Sequence, residues 1–176
     1  MRVKTVSTGF SAYMITIEQV TSADVPQTLE FVLNARAALF PKLNASGIPA
    51  DLAHFEQTYI QGEGCFLIAR EHGRIIASIG YVPYDHRFAQ LDYRGLKVVE
   101  VVRLFVLPQY RRSGVAGALY DALKTRAVEV GVELMYLHTH PFLPGAIEFW
   151  RRQGFTITDV EDHPVWQTTH MQCRLP

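Results

Sequence analysis

Val98-Val99-Glu100-Val101-Val102-Arg103-Leu104-Phe105-Val106-Leu107-Pro108-Gln109-Tyr110-Arg111-Arg112-Ser113-Gly114-Val115-Ala116-Gly117 is the stretch whose reading decides the fold. Its first nine residues are apolar except for Glu100 and Arg103 and are mostly β-branched, which predicts a central strand buried on both faces. From Val115 the apolar residues recur at Ala118, Leu119, Ala122, Leu123, Ala127 and Val130, the spacing of an amphipathic helix, and Gly131 stands where a C-terminal cap belongs. The stretch therefore reads as strand, tight turn, helix. Small residues between Arg111 and Gly117 keep little bulk off the first-turn N–H groups, which have no partner inside the helix and sit at its positive dipole end. Such a turn is suited to cradling a phosphate. It carries neither the Gly-Lys-Ser/Thr of a Walker loop nor the G-x-G-x-x-G of a dinucleotide fingerprint.

Toward the N-terminus, residues 1–12 show no periodicity and are read as a flexible tail, leaving 13–176 as a single domain. Tyr13 to Val20 reads as a strand, and Thr21-Ser22-Ala23-Asp24 offers a capping box for a helix carrying Val25, Leu29, Val32, Leu33, Ala37 and Phe40, ended by Pro41. After a loop with Asn44, Ser46 and Gly47, Pro49 opens a second short helix with Leu52, Phe55, Tyr59 and Ile60 on one face. Cys65–Arg70 and Arg74–Tyr81 are apolar runs joined by Glu71-His72-Gly73, a hairpin. Pro83 to Lys97, polar and aromatic without a period, reads as a mobile connection.

Toward the C-terminus, Leu134 to His138 is a second buried strand, made parallel to the first by a right-handed crossover. A short helix follows, with Pro144 inside its start and Gly154 at its stop, and then strands over Phe155–Val160 and Val165–Leu175 around the turn Glu161-Asp162-His163-Pro164.

Composition narrows the classes of function. The 176 residues hold 17 Lys plus Arg against 17 Asp plus Glu, so nothing in the charge points to nucleic acid or a membrane surface as a partner. The N-terminal residues lack the apolar core of a secretory signal, and the expectation is a cytoplasmic protein. Cys65 and Cys173 both fall in expected strands and are read as buried thiols rather than a disulfide or a zinc site.

The pattern Arg111-x-x-Gly114-x-Ala116 between strand and helix resembles the acetyl-coenzyme A motif of the GNAT acetyltransferases, and Ala146-Ile147-Glu148-Phe149-Trp150-Arg151-Arg152-Gln153-Gly154-Phe155 resembles that family's second motif. The order of elements over about residues 14 to 175 is also similar to the family's. The resemblance implies an α/β (α+β) GNAT fold, a mixed central sheet of six to seven strands flanked by about four helices. It implies acetyl-CoA as cosubstrate, with backbone groups of Phe105 and Val106 on the pantetheine arm. The amides from Arg112 through Ser113, Gly114, Val115 and Ala116 to Gly117 would hold the pyrophosphate, Arg111 and Arg112 would reach phosphates, and Phe149 and Trp150 would belong to the cofactor side. Two departures stand out: Leu143 replaces the second motif's usual Asn, and Trp150 replaces the Tyr that protonates the departing thiolate, which an indole N–H does not do.

Glu100, eleven residues before Arg111, matches the strand glutamate that several members use as general base, and burial is expected to raise its pKa toward neutrality. Its plain alternative is a core glutamate held by an arginine; strict alternation turns Arg103 to the opposite face, so that arginine comes from elsewhere. His138 and His140 are candidate proton shuttles where the family splays its central strands, with His170 beside them. Their spacing is weak evidence for a metal, and none is expected. The implied activity is transfer of acetyl to a primary amine of a small molecule or peptide by direct attack, in a monomer or homodimer. The alternative is a non-catalytic acyl-CoA sensor. Acceptor recognition is expected from the Pro41–Pro49 loop, the Pro83–Lys97 segment and the Glu161–Pro164 turn, and Asp159, Glu161 and Asp162 would draw a cationic amine.

Overall fold

In the computed structural model, which describes residues 14–41 and 46–176, the run Val98–Val106 is a strand flanked by others on both sides. The expected tail at 1–12, Tyr13 of the first strand, and Asn44 lie outside the described residues. The elements in chain order are β1 (Ile15–Gln19), α1 (Val25–Leu39), α2 (Ala50–Ala53), β2 (Cys65–Glu71), β3 (Arg74–Pro83), β4 (Val98–Val106), α3 (Val115–Glu129), β5 (Leu134–Thr139), α4 (Ala146–Arg152), β6 (Thr156–Val160) and β7 (Thr169–Arg174). The seven strands order as β1-β2-β3-β4-β5-β7-β6. β4 and β5 run parallel while the β1–β2, β2–β3, β5–β7 and β6–β7 pairs are antiparallel, so the sheet is mixed. Two compact units divide the chain: one runs to Val82 and resumes over Val102–Arg126, and the other holds Pro83–Val101 and Ala127–Pro176.

In the first unit the capping box forms, Thr21 N–H and Oγ1 both donating to Asp24 Oδ2 at 2.9 and 2.7 Å, and starts the chain into α1. The apolar face of α1 buries Val32 in a cluster with Val20, Leu52, Phe55, Tyr59, Phe66, Ile68, Ile75 and Phe105. The second helix expected over Leu52 to Ile60 is divided: α2 ends at Ala53 and a π-helical segment takes Glu56–Ile60. That division seats the Phe55, Tyr59 and Phe66 rings at centroid distances of 4.8 to 5.0 Å. The β2–β3 hairpin closes with His72 at φ 48° and Gly73 at φ 79°, the left-handed pair of a type I′ turn.

Alternation along β4 breaks at Arg103, whose φ is 57°. Val102 and Phe105, three apart, both pack on the same cluster, which an unbroken strand would forbid. One residue has slipped out of register, as in a β-bulge, and the expected opposition of Arg103 by simple alternation does not survive it. The displaced guanidinium donates from Nε (3.0 Å) and Nη2 (2.6 Å) to Asp51 at the start of α2, and the Tyr59 hydroxyl donates to Asp51 Oδ2 at 2.7 Å.

In the second unit, β4 and β5 pair over Val98–Glu100 opposite Leu134–Tyr136. The Pro83–Lys97 segment is not the loose connection expected. Tyr84, Leu91 and Tyr93 are buried with Val98, Leu134 and Tyr136, and Phe88 and Leu96 pack against them. Aromatic content, not periodicity, holds this loop down. β7 begins at Thr169, later than the expected Val165, because the N–H groups of Val165 and Trp166 donate to the His163 ring at 3.2 and 3.1 Å instead of a strand neighbour. α4 begins past Pro144, behind Gly145 at φ 74°, and ends before Gly154 at φ 93°. Cys65 is buried, and burial pushes its thiol up to about 11; Cys173, also free, is half exposed rather than buried as expected.

Candidate active site

The turn between β4 and α3 has the shape its residues predict. Pro108–Tyr110 make a short 3-10 turn, Arg112 takes φ 64° and Gly114 φ 86°, and the first bond into α3 runs from Ala118 N–H to Gly114 O at 3.0 Å. The N–H groups of Gly114, Val115, Ala116 and Gly117 precede that bond, so they are the four donors a helix start leaves to others. A Cβ built on Gly114 or Gly117 meets nothing within 4 Å, so there is open space beside the first and last of these residues. Arg111 and Arg112 are exposed beside it, and Ser113 Oγ is turned back to the Tyr110 carbonyl at 2.6 Å. A diphosphate fits such a surface: four amides at the positive end of a fifteen-residue helix, two cations alongside. Phe105 faces inward to the core cluster while Val106 is half-buried.

In the second unit Glu100, with a side chain 5% exposed, sits among donors. Arg87 forks onto it, Nη1 to Oε2 and Nη2 to Oε1, each at 2.7 Å. His138 Nδ1 stands 3.0 Å from Oε1, at ion-pair distance though off the line of a good hydrogen bond. Burial pushes the Glu100 carboxyl up, but the Arg87 fork and the His138 ring outweigh it and hold the group down at about 2. The expected rise toward neutrality is therefore corrected: a donor-rich environment overrides desolvation. Arg87 itself is the arginine the sequence could not name.

His138 is opposite His170 in the β5–β7 register, and the rings of Tyr136, His138 and His140 follow one another at 6.3 and 6.1 Å. His140 Nδ1 donates to the Trp166 carbonyl at 3.1 Å, and burial lowers its pKa. His170, with a side chain wholly buried, accepts from the Tyr136 hydroxyl at Nδ1 (2.7 Å) and donates from Nε2 to Glu161 Oε1 (2.8 Å). Glu161 is thus engaged by His170 and not merely a solvent-facing tip charge. No group of three or more His, Cys, Asp or Glu among the described residues is placed to hold a metal ion. Trp150 is buried against Phe149 and Phe155 at 4.9 and 5.2 Å, in the position of a core ring. No helix among the described residues is long and apolar enough to cross a membrane.

Known proteins agree with this architecture. The chain is 27% identical over 114 residues to N-acetyltransferase family 8 member 2 of Rattus norvegicus, covering 65% of this chain and 48% of the relative. To N-acetyltransferase 8 of Homo sapiens it is 25% identical over 133 residues, 72% of this chain and 56% of that one. The chain thus spans about half the length of these curated relatives. In fold it is similar to a GNAT-family acetyltransferase of Staphylococcus aureus (TM-score 0.71, 20% identity, 92% of this chain and 99% of that one). The PaiA N-acetyltransferase of Thermoplasma acidophilum, solved in complex with coenzyme A, has a TM-score of 0.68 at 14% identity, with 92% and 99% covered. The model of the acetyltransferase (GNAT) family matches residues 30–155, which include β4, the turn, α3 and the second motif, and the chain belongs to that family.

Proposed function

We propose that the chain transfers the acetyl group of acetyl-CoA to a primary amine of a small molecule or a peptide. The observation that carries the reading is the β4–α3 turn, with four helix-start amides between Gly114 and Gly117 and open space beside those two glycines. These amides would hold the cosubstrate's pyrophosphate, with Arg111 and Arg112 adding charge, while the backbone of Phe105 and Val106 would pair with its amide-bearing arm as an added strand does. The thioester supplies the activated acyl carbon. An incoming ammonium gives one proton to a base in the second unit, where Glu100 and His138 stand together, and its nitrogen then attacks that carbon as the C–S bond breaks. The nitrogen's second proton leaves as the amide forms, and the thiolate, whose conjugate acid has a pKa of about 8.5, takes one up. Trp150 takes no part in that step, since its ring is buried and its N–H is no acid.

The buried Trp150 and the strongly ionised Glu100 also favour a second reading, a non-catalytic sensor that binds acyl-CoA without turning it over. Thiol release from acetyl-CoA against a broad amine panel, run beside coenzyme-induced thermal stabilisation, separates the two. Acceptor-dependent release with stabilisation is expected; stabilisation without release across the panel favours the sensor, and no stabilisation overturns both.

A further inference from the structure

Glu100 is held through both carboxylate oxygens, and the identity of its partners constrains what it can do. Its Oε1 is shared between Arg87 Nη2 at 2.7 Å and His138 Nδ1 at 3.0 Å, and its Oε2 takes Arg87 Nη1 at 2.7 Å. An ionised carboxylate repels a lone pair, so a ring nitrogen 3.0 Å away is favoured in its protonated form even though its N–H lies off the line to Oε1. In the neutral His138 ring the lone pair then belongs to Nε2. Arg87 is itself held in place: its Nη1 also bonds Asp85 Oδ1 at 2.9 Å, and its guanidinium carbon lies 4.5 Å over the Phe88 ring. Phe88 in turn meets the His138 and His170 rings edge-on at 5.9 and 4.7 Å. Exposure separates the three members of the group. Glu100 is 5% exposed, whereas His138 is 33% exposed, so an acceptor molecule has access to the imidazole and not to the carboxylate.

We propose that Arg87 is a positioning residue whose two-pronged bond keeps Glu100 an anion that fixes His138 Nδ1–H, so that His138 Nε2, and not Glu100, takes the proton of the acceptor ammonium. The proposal rests on the acetyl-transfer reading above and divides its labour. One N–H bond of the ammonium breaks and a proton passes to Nε2, giving an imidazolium whose charge Glu100 stabilises; the amine's freed electron pair forms the C–N bond as the thioester C–S bond breaks, and the nitrogen's second proton goes to the departing thiolate. The imidazolium later returns its proton to water. Glu100 and Arg87, Tyr136, His140 and His170 are the ionisable groups around His138, from β4, the β3–β4 loop, β5 and β7. A base assigned to Glu100 directly would require Arg87 to leave first, and the two assignments predict opposite effects of removing the arginine.

The test uses the full chain, acetyl-CoA and an amine that the wild type accepts, with Arg87→Met, Arg87→Lys and His138→Ala. His138→Ala is expected to lose about a hundredfold in kcat, the lower range for a general base, with partial rescue by added imidazole. Arg87→Met is expected to lose about tenfold in kcat with the KM for acetyl-CoA and the coenzyme-induced thermal shift unchanged, and Arg87→Lys to recover part of the loss. Nitrogen-15 NMR of histidine-labelled protein reads the His138 tautomer whether or not any amine turns over, and the Nδ1–H form is expected in the wild type and a mixture in Arg87→Met. The proposal is overturned by an Nε2–H tautomer in the wild type, by a kcat that rises or stays level in Arg87→Met, or by His138→Ala within twofold of the wild type. A wild type that acetyl-CoA does not stabilise overturns instead the acetyl-transfer reading, and the NMR still decides the role of Arg87 at Glu100.

Discussion

Two arginine–carboxylate pairs, one in each unit, are built from the same chemistry and end in different states. Arg103 grips Asp51 at 2.6 and 3.0 Å with Tyr59 as third partner, and both charged side chains are about one-fifth exposed. Arg87 grips Glu100 at 2.7 Å twice with His138 as third partner, but Arg87 is 40% and His138 33% exposed. The first is closed: the Tyr59 hydroxyl, its pKa pushed up by burial and then by the Asp51 charge, is a permanent donor. The second has a buried anion and an accessible imidazole. The same grip thus leaves one carboxylate beside a phenol that only donates and the other beside an imidazole that solvent reaches.

The sharpest way to break this contrast is to remove each carboxylate. Asp51→Ala leaves the Arg103 charge buried and unpaired, and is expected to cost about 3 kcal/mol, or about 9 °C in Tm for a chain of this size. Replacing both partners, Asp51→Leu with Arg103→Met, is expected to recover most of that, because no stranded charge remains. Denaturant unfolding of the two variants decides it: a double variant no more stable than the single one would mean that Arg103 holds the bulge by more than its charge.

Glu100 gives the next largest effect, and it is a dependence on pH. Its folded pKa, about 2, lies below the ordinary 4.5, so its contribution is fully present above about pH 4.5 and is lost as pH falls toward 2. With the exposed side of Arg87 screened by solvent, the contribution is about 2 kcal/mol. At pH 3 a little over half of it is already lost, so the stability difference between pH 6 and pH 3 is expected to shrink by about 1 kcal/mol in Glu100→Gln. An unchanged acid dependence would remove the Arg87–Glu100 pair from the list of folded-state interactions.

These two pairs also mark what the chain's residues reveal in advance and what they do not. β4, the β2–β3 hairpin, α1 with its capping box, and the turn into α3 were legible because each is written in local terms: a β-branched run, a His-Gly pair, a Thr-x-x-Asp spacing, a Gly-rich helix start. Glu100 and His138 were each legible as candidates on their own strands, but their approach to 3.0 Å is a property of the folded unit. Arg87 was not legible, because its segment has no period and is pinned by Tyr84, Leu91 and Tyr93, whose burial is a property of the folded unit. Nothing local marks Arg103 as the residue with positive φ either, since an arginine has no preference for it. The direction of the Glu100 shift went astray for the same reason: burial can be read from a strand's composition, but the donors that reverse its effect come from elsewhere in the chain.

The smallest expected effect separates a glycine that shapes the backbone from one that also serves a ligand. Gly73 and Gly114 have φ of 79° and 86°, and a Cβ added at either meets nothing within 4 Å. Alanine at each pays only the left-handed conformation, about 1 kcal/mol, so Gly73→Ala and Gly114→Ala should unfold at similar denaturant concentrations. Gly73 turns a hairpin, however, and Gly114 opens α3. A methyl on Gly114 would stand over the helix-start amides and crowd an oxygen approaching them, weakening coenzyme A binding by about tenfold, the loss of about one charge-assisted hydrogen bond. Isothermal titration of coenzyme A into both variants reads this directly. Equal weakening in the two would trace the loss to general destabilisation and detach the phosphate role from the α3 turn, whereas a loss confined to Gly114→Ala ties that role to the backbone between Gly114 and Gly117.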